Sequence, residues 1–168
     1  MRMRKGQTAM EYLMTYGWAI LIIMVVLAVL FYLGVLSPQV PSQCTFPAGI
    51  TCVTYKLMTN GTLRLDIGQG TGHTIQVNGV NCTQKTDLDL RTANIVYPSG
   101  LNVIISSGNK ATVANETYQT ICTNANLQIA NGTVGDQYTN ARIFINYTEK
   151  DTNMNRIAVG TFSTRFEA

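Results

Sequence analysis

The sequence predicts an α+β chain: one long hydrophobic helix at the N-terminus, then an all-β head. Three observations predict it. No residue from Tyr12 to Leu36 is charged. Beyond Ser37 the composition turns polar and rich in Thr, Asn and Gly. From Ile50 onward, helical periodicity gives way to short alternating runs closed by turn dipeptides. With 168 residues, the chain has room for one globular domain and an appendage, not for two ordinary domains.

Residues 1–6 read as a basic leader. Arg2, Arg4 and Lys5 supply three of the twelve Lys and Arg, so everything after Gly6 balances nine cations against nine acids. Cations placed just before an apolar run hold the N-terminus in the cytoplasm. A nucleic-acid binder needs a basic stripe, and with none here no nucleic-acid partner is expected.

Residues 7–36 read as one continuous helix that starts with the good formers Gln7, Ala9, Met10 and Glu11. Such a helix is about 45 Å long, more than a bilayer core needs. Being apolar around most of its circumference, it must be buried in lipid or among other helices. Gly17 and Gly34 weaken it or allow close helix contact, and Gly17 is the place for a bend in an assembled state. Ser37-Pro38 is the expected stop, because the residue before proline avoids the helical region. Residues 37–48, with Pro38, Pro41 and Pro47, read as a linker.

Residues 49–168 read as the head. Cys52–Leu57 leads to Asn60-Gly61, a strong two-residue hairpin signal, and the return run puts Leu63, Leu65 and Ile67 on one face with Arg64 and Asp66 on the other. Thr74–Val77 follows, closed by Asn78-Gly79. Further candidates are Leu101–Ser106, Thr120–Cys122, Leu127–Ala130, Arg142–Thr148 and Ile157–Phe166. Eight or nine short strands at this spacing predict a single β-sandwich of immunoglobulin-like type.

Cys44, Cys52, Cys82 and Cys122 all follow the hydrophobic run, are even in number and lack the close CxxC pairs of a zinc site. Two disulfides on an oxidising surface are expected, with free thiols as the alternative. Of the three pairings, Cys44–Cys52 with Cys82–Cys122 is favoured, because the first pair brackets the turn region Phe46-Pro47-Ala48-Gly49. Five Asn-x-Thr sequons, at Asn60, Asn81, Asn115, Asn131 and Asn146, add the expectation of a glycosylated surface.

Catalytic chemistry is sparse. His73 is the single histidine, has no paired acid or nucleophile nearby in sequence, and reads as a turn residue. Gly68–Gly72 lacks the Lys and the following helix of a phosphate loop and reads as a hairpin loop. Asp87-Leu88-Asp89 reads as the solvated face of a strand rather than a calcium site. The expectation is a non-enzymatic protein with no catalytic residues, no metal and no cofactor.

The start of the helix is more informative. The leader ends in Gly6, a small residue suited to a protease site. One acid, Glu11, then sits at the mouth of an otherwise uncharged helix, where a carboxylate at membrane depth costs about 2.5–3.5 kcal/mol and less near the interface. A cut after Gly6 would put a new α-amine on Gln7, four residues from Glu11. Amine and carboxylate could then pair within a subunit or between stacked neighbours, and so set axial register. Equally open is that Glu11 only complements the positive helix N-terminus.

Gly6, Gln7, Thr8, Glu11 and Tyr12, followed directly by the apolar helix, resemble the class III signal sequence of archaeal type IV pilins, with Thr8 in place of the commoner Ser. The resemblance covers residues 4–36, about a fifth of the chain. It implies cleavage between Gly6 and Gln7 by a prepilin peptidase and storage in the membrane with a cytoplasmic N-terminus. It further implies extraction by an assembly ATPase and platform protein into an extracellular homopolymer held through the N-terminal helices, with Glu11 as the assembly acid. The expected function is therefore a structural subunit of an adhesion pilus. The alternatives are a membrane-anchored surface binding protein, or a minor pilin or pseudopilin that does not form the bulk filament. A tethered enzyme ranks below these, since the head shows no catalytic constellation. An ordinary secretory signal fits poorly, because the apolar run is too long for its 7–15-residue core.

Overall fold

The computed structural model describes residues 4–34, 40–87 and 101–168, with only the main chain described for 4–9. The chain forms two compact units, Met1–Gln39 and Val40–Ala168.

The first unit is helix α1, Arg4–Tyr32, unbroken through Gly17. It starts before the expected Gln7, since Arg and Lys are good helix formers and one glycine does not stop a helix. It ends before the expected Leu36. The Leu33 amide donates to the Val29 carbonyl (2.9 Å) and the Gly34 amide to that of Phe31 (3.0 Å), which tightens the last turn. Gly34 then takes a left-handed φ of 66°, available to glycine without a Cβ penalty. The expected stop at Ser37-Pro38 lies outside the described residues. Within the helix, the 23 residues Met10–Tyr32 are long and apolar enough to cross a membrane.

The second unit is β-rich, with nine strands among the described residues: β1 Gln43–Thr45, β2 Ile50–Met58, β3 Thr62–Gln69, β4 Ile75–Thr83, β5 Val103–Ile105, β6 Lys110–Ala114, β7 Thr120–Thr123, β8 Gln137–Glu149 and β9 Asn155–Glu167. A β-rich unit after an apolar helix is as expected. Its sheet closes as a barrel through β9, β2, β3, β7, β4 and β8, while β1 hangs on β9, β6 on β3 and β5 on β4. Two contacts in the ring are parallel and only two residue pairs long. They are Leu57 and Met58 of β2 against Phe166 and Glu167 of β9, and Cys82 and Thr83 of β4 against Cys122 and Thr123 of β7.

Both disulfides have the favoured pairing and both act at weak joints. Cys82–Cys122, with both cysteines fully buried and Cα atoms 4.5 Å apart, staples the β4–β7 seam. Cys44–Cys52 ties β1 to β2 (Cα–Cα 5.9 Å). β1 itself pairs with β9, so the head begins at Val40, inside the segment expected to be linker.

The strand expectations need four further corrections. Asn78-Gly79 does not turn the chain: β4 runs on to Thr83 through a bulge between Val77 and Gly79, where the Asn78 side-chain Nδ2 donates to the Thr148 hydroxyl (2.8 Å). Leu127–Ala130 is not a strand, because Leu127 has a left-handed φ of 62° and only Ile129 forms a bridge, with Thr123. β6 was not expected. Finally, Asn60-Gly61 does form the hairpin turn, but with Thr59 and Asn60 at its centre. The Gly61 amide donates to the Met58 carbonyl (2.8 Å), and Gly61 is the left-handed residue that follows.

Alternation places the core. Leu63, Leu65 and Ile67 are fully buried while Arg64 faces water, and they meet Leu57, Ile75, Val77, Val80, Ile143 and Ile145 inside the barrel. Tyr138 packs edge-on against Phe162 and Phe166 and donates its hydroxyl to the Thr123 carbonyl (2.6 Å), which gives the buried phenol its partner. Burial holds the Tyr138 phenol well above its ordinary pKa.

Gly61 is required twice over. Its φ of 82° disfavours any side chain, and an added Cβ would lie 2.7 Å from the Ala130 carbonyl oxygen. Gly61→Ala is expected to destabilise the head by about 2 kcal/mol, read as a lowered urea midpoint. Gly72→Ala, with a similar φ but open space around it, should have the smaller effect.

Candidate functional site

The helix is the first candidate. Large apolar side chains are exposed on every face: Trp18 is 67% exposed, Leu21 54%, Val25 54% and Phe31 68%. Burying each such side chain is worth about 1.5–3 kcal/mol, so the helix cannot stay in water and must find lipid or other helices. Its inner polar groups are handled locally. The Thr15 hydroxyl donates to the Glu11 carbonyl (3.0 Å), and the Tyr12 and Tyr16 rings meet at 4.2 Å, one turn apart.

Glu11 is exposed and, among the described side chains, forms no ion pair. It lies seven residues past Arg4, about 10 Å along the axis and beyond the first turn where a helix dipole acts. The helix-end role for Glu11 therefore loses its position in the uncut chain. Gly6 and Gln7 have helical main chain.

The other sequence-predicted residues lie on the head. The structure brings the four cysteines into their two pairs and separates the sequons by environment. Asn60 and Asn131 are exposed outside the strands. Asn115 is half-buried, its Oδ1 accepting the Thr117 and Tyr118 amides (both 2.8 Å). Asn81 and Asn146 are half-buried within β4 and β8. Asp87 is exposed, Leu88 and Asp89 lie outside the described residues, and no metal-binding cluster occurs among the described residues. Gly68–Gly72 ends β3 and leads into strand β4. An open cavity of about 550 Å³ beside Gly49, Gly68 and Gly108 is lined by Thr51, Val53 and Lys110 but by no acid, histidine or cysteine.

One pairing was not legible in sequence. His73, in the β3–β4 loop, is joined through Nδ1 to the carboxylate of Asp151 in the β8–β9 turn. That hydrogen bond and its charge raise the His73 pKa and hold the Asp151 carboxyl below the ordinary range. The raised imidazole favours folding below its unfolded pKa near 6.5 and loses that contribution as pH rises through the folded value. Asp151 contributes above the ordinary carboxylate range and loses its part as pH falls through its lowered value. The tie thus holds from mildly acid to about neutral pH and opens on both sides. In Asp151→Asn, the His73 ring signals followed by NMR should titrate at lower pH than in the parent.

No protein-family model matches the sequence, and no curated protein matches it.

Proposed function

We propose that this chain is the structural subunit of an adhesion filament of the archaeal type IV pilus kind, cut by a prepilin peptidase between Gly6 and Gln7 and polymerised through α1. The observation that carries the proposal is the helix Met10–Tyr32, apolar and exposed on every face, with Glu11 as its lone acid. Before assembly the bilayer buries that surface, with the basic leader holding the N-terminus in the cytoplasm. After assembly neighbouring helices bury it. Cleavage would move the start of the helix to Gln7 and leave the new amine four residues, about 6 Å of rise, from the Glu11 carboxylate. A subunit out of register would then bury one charge without the other.

In this proposal the head is an immunoglobulin-like sandwich whose two layers join at β7 and β9. Stapled by its disulfides and carrying sugars, it forms the outer sheath, and no active site takes part. The same helix also suits a surface protein that stays anchored, or a minor pilin. Co-expression with a prepilin peptidase separates the anchor from the pilin classes. Mass spectrometry of the membrane fraction should find a chain beginning at Gln7, and Gly6→Leu should leave it uncut. An intact leader on the parent chain beside an active peptidase would refute processing, and with it the filament.

A further inference from the structure

The open cavity of about 550 Å³ lies on the outer face of β2, β3 and β6, at the end away from the β2–β3 turn. Thr51 of β2, Gly68 of β3 and Lys110 of β6 form one cross-strand row there. The register shift between Cys52 and Thr54 leaves Val53 beside that row, 43% exposed. Gly70 extends the floor past the end of β3.

Two glycines keep the floor bare, for different reasons. At Gly68 an added Cβ would lie 2.6 Å from the Thr51 hydroxyl oxygen, so packing within the row requires glycine. At Gly70 an added Cβ would meet nothing within 4 Å, and the backbone is outside the left-handed region. Neither packing nor conformation asks for glycine at position 70. What its missing side chain permits is close approach from outside.

The side chains around this floor are free, whereas its main chain is committed. Thr51, Asn109 and Lys110 are exposed, and among the described residues their side chains have no hydrogen-bond or ion-pair partner. The Gly70 amide donates to the Gly49 carbonyl (2.8 Å), that of Gly108 to Gln69 (2.7 Å) and that of Gln69 to Asn109 (2.9 Å). Asp66, one row along β3, accepts the hydroxyls of Thr54 and Thr112 and attracts Lys110 through space without pairing with it.

These groups select a class of ligand. One unpaired ammonium, with no acid in the lining, matches one carboxylate. A free hydroxyl and a free carboxamide offer donors and acceptors to ring hydroxyls. The bare floor and Val53 suit the C–H face of a sugar ring. A phosphate is held by several cations or by free main-chain amides, and here the amides have partners. The volume falls within the range of about 300–1,000 Å³ usual for small-ligand sites.

We propose that this cavity binds an acidic sugar unit of a polysaccharide, with its carboxylate on Lys110 and its hydroxyls on Thr51 and Asn109. The proposal rests on the adhesive reading of the filament for its purpose. Binding belongs to the head alone, however, so its failure would leave processing and polymerisation untouched.

The test titrates the full-length chain, labelled with nitrogen-15 in detergent, with tetragalacturonate, tetramannuronate, neutral maltotetraose and inorganic phosphate. The amide NMR signals of Gly68, Gly70 and Gly108 report on the site. At least one of the two acidic sugars should shift them saturably, and maltotetraose should bind at least about tenfold more weakly. Lys110→Met should weaken the acidic sugar at least about tenfold. Gly70→Leu, whose Cβ enters open space, should abolish binding and leave the urea midpoint near that of the parent. No saturable shift with either acidic sugar would overturn the proposal. So would maltotetraose or phosphate binding as tightly as the acidic sugar, or a Gly70→Leu variant that binds like the parent.

Discussion

Removing the Cys82–Cys122 disulfide is expected to destabilise the head by about 4 kcal/mol, the largest stability effect of any change considered. The bond closes a span of 40 residues, and chain-entropy estimates for a loop of that length give about 4 kcal/mol. Small domains have only about 5–15 kcal/mol in total. The location adds to the effect, because β4 and β7 share just two residue pairs, one of them the cysteines themselves. Cys44–Cys52 closes a span of eight, for which the same relation gives about 2.5 kcal/mol. Urea unfolding of the full chain in mild detergent, followed by near-ultraviolet circular dichroism, should place Cys82→Ala/Cys122→Ala well below Cys44→Ala/Cys52→Ala. Equal midpoints would show that the β4–β7 seam does not depend on its staple.

Glu11→Ala is expected to abolish most filament assembly while leaving cleavage and membrane insertion intact. Two effects act in the same direction. Removing one member of a buried pair strands the other, at about 3–5 kcal/mol. Losing the carboxylate also makes the lipid-embedded subunit more comfortable where it is, by up to about 3 kcal/mol at depth and less near the interface. The variant should therefore accumulate as cut subunit in the membrane, with sheared surface material reduced at least about tenfold. Parent-level fibres from Glu11→Ala would exclude a register role for the acid.

What the sequence disclosed followed the range of the forces involved. The helix was legible because an uninterrupted apolar run has one physical consequence, and Leu63, Leu65 and Ile67 because alternation marks a half-buried strand. The end at Gly34 was harder to see, since a glycine inside an apolar run reads as tolerated until its left-handed φ is known. Asn78-Gly79 carried a turn signal that pairing with β8 overrode, leaving only a bulge. β1 is three residues long, and its place comes from β9 and a disulfide rather than from its own pattern. Barrel closure depends on contacts between Leu57 and Phe166 and between Cys82 and Cys122, which no local window contains. The sequons show the same limit at the candidate sites: five identical signals divide by burial only once the sheet is formed.

Cryo-electron microscopy of fibres sheared from cells making this chain tests the central claim most directly. Fibres with an axial bundle of parallel helices, an outer layer of β heads and a first residue of Gln7 are the predicted result. The account is contradicted if the chain stays wholly in the membrane fraction with Met1 attached, or if it forms fibres whose axis is occupied by the β heads.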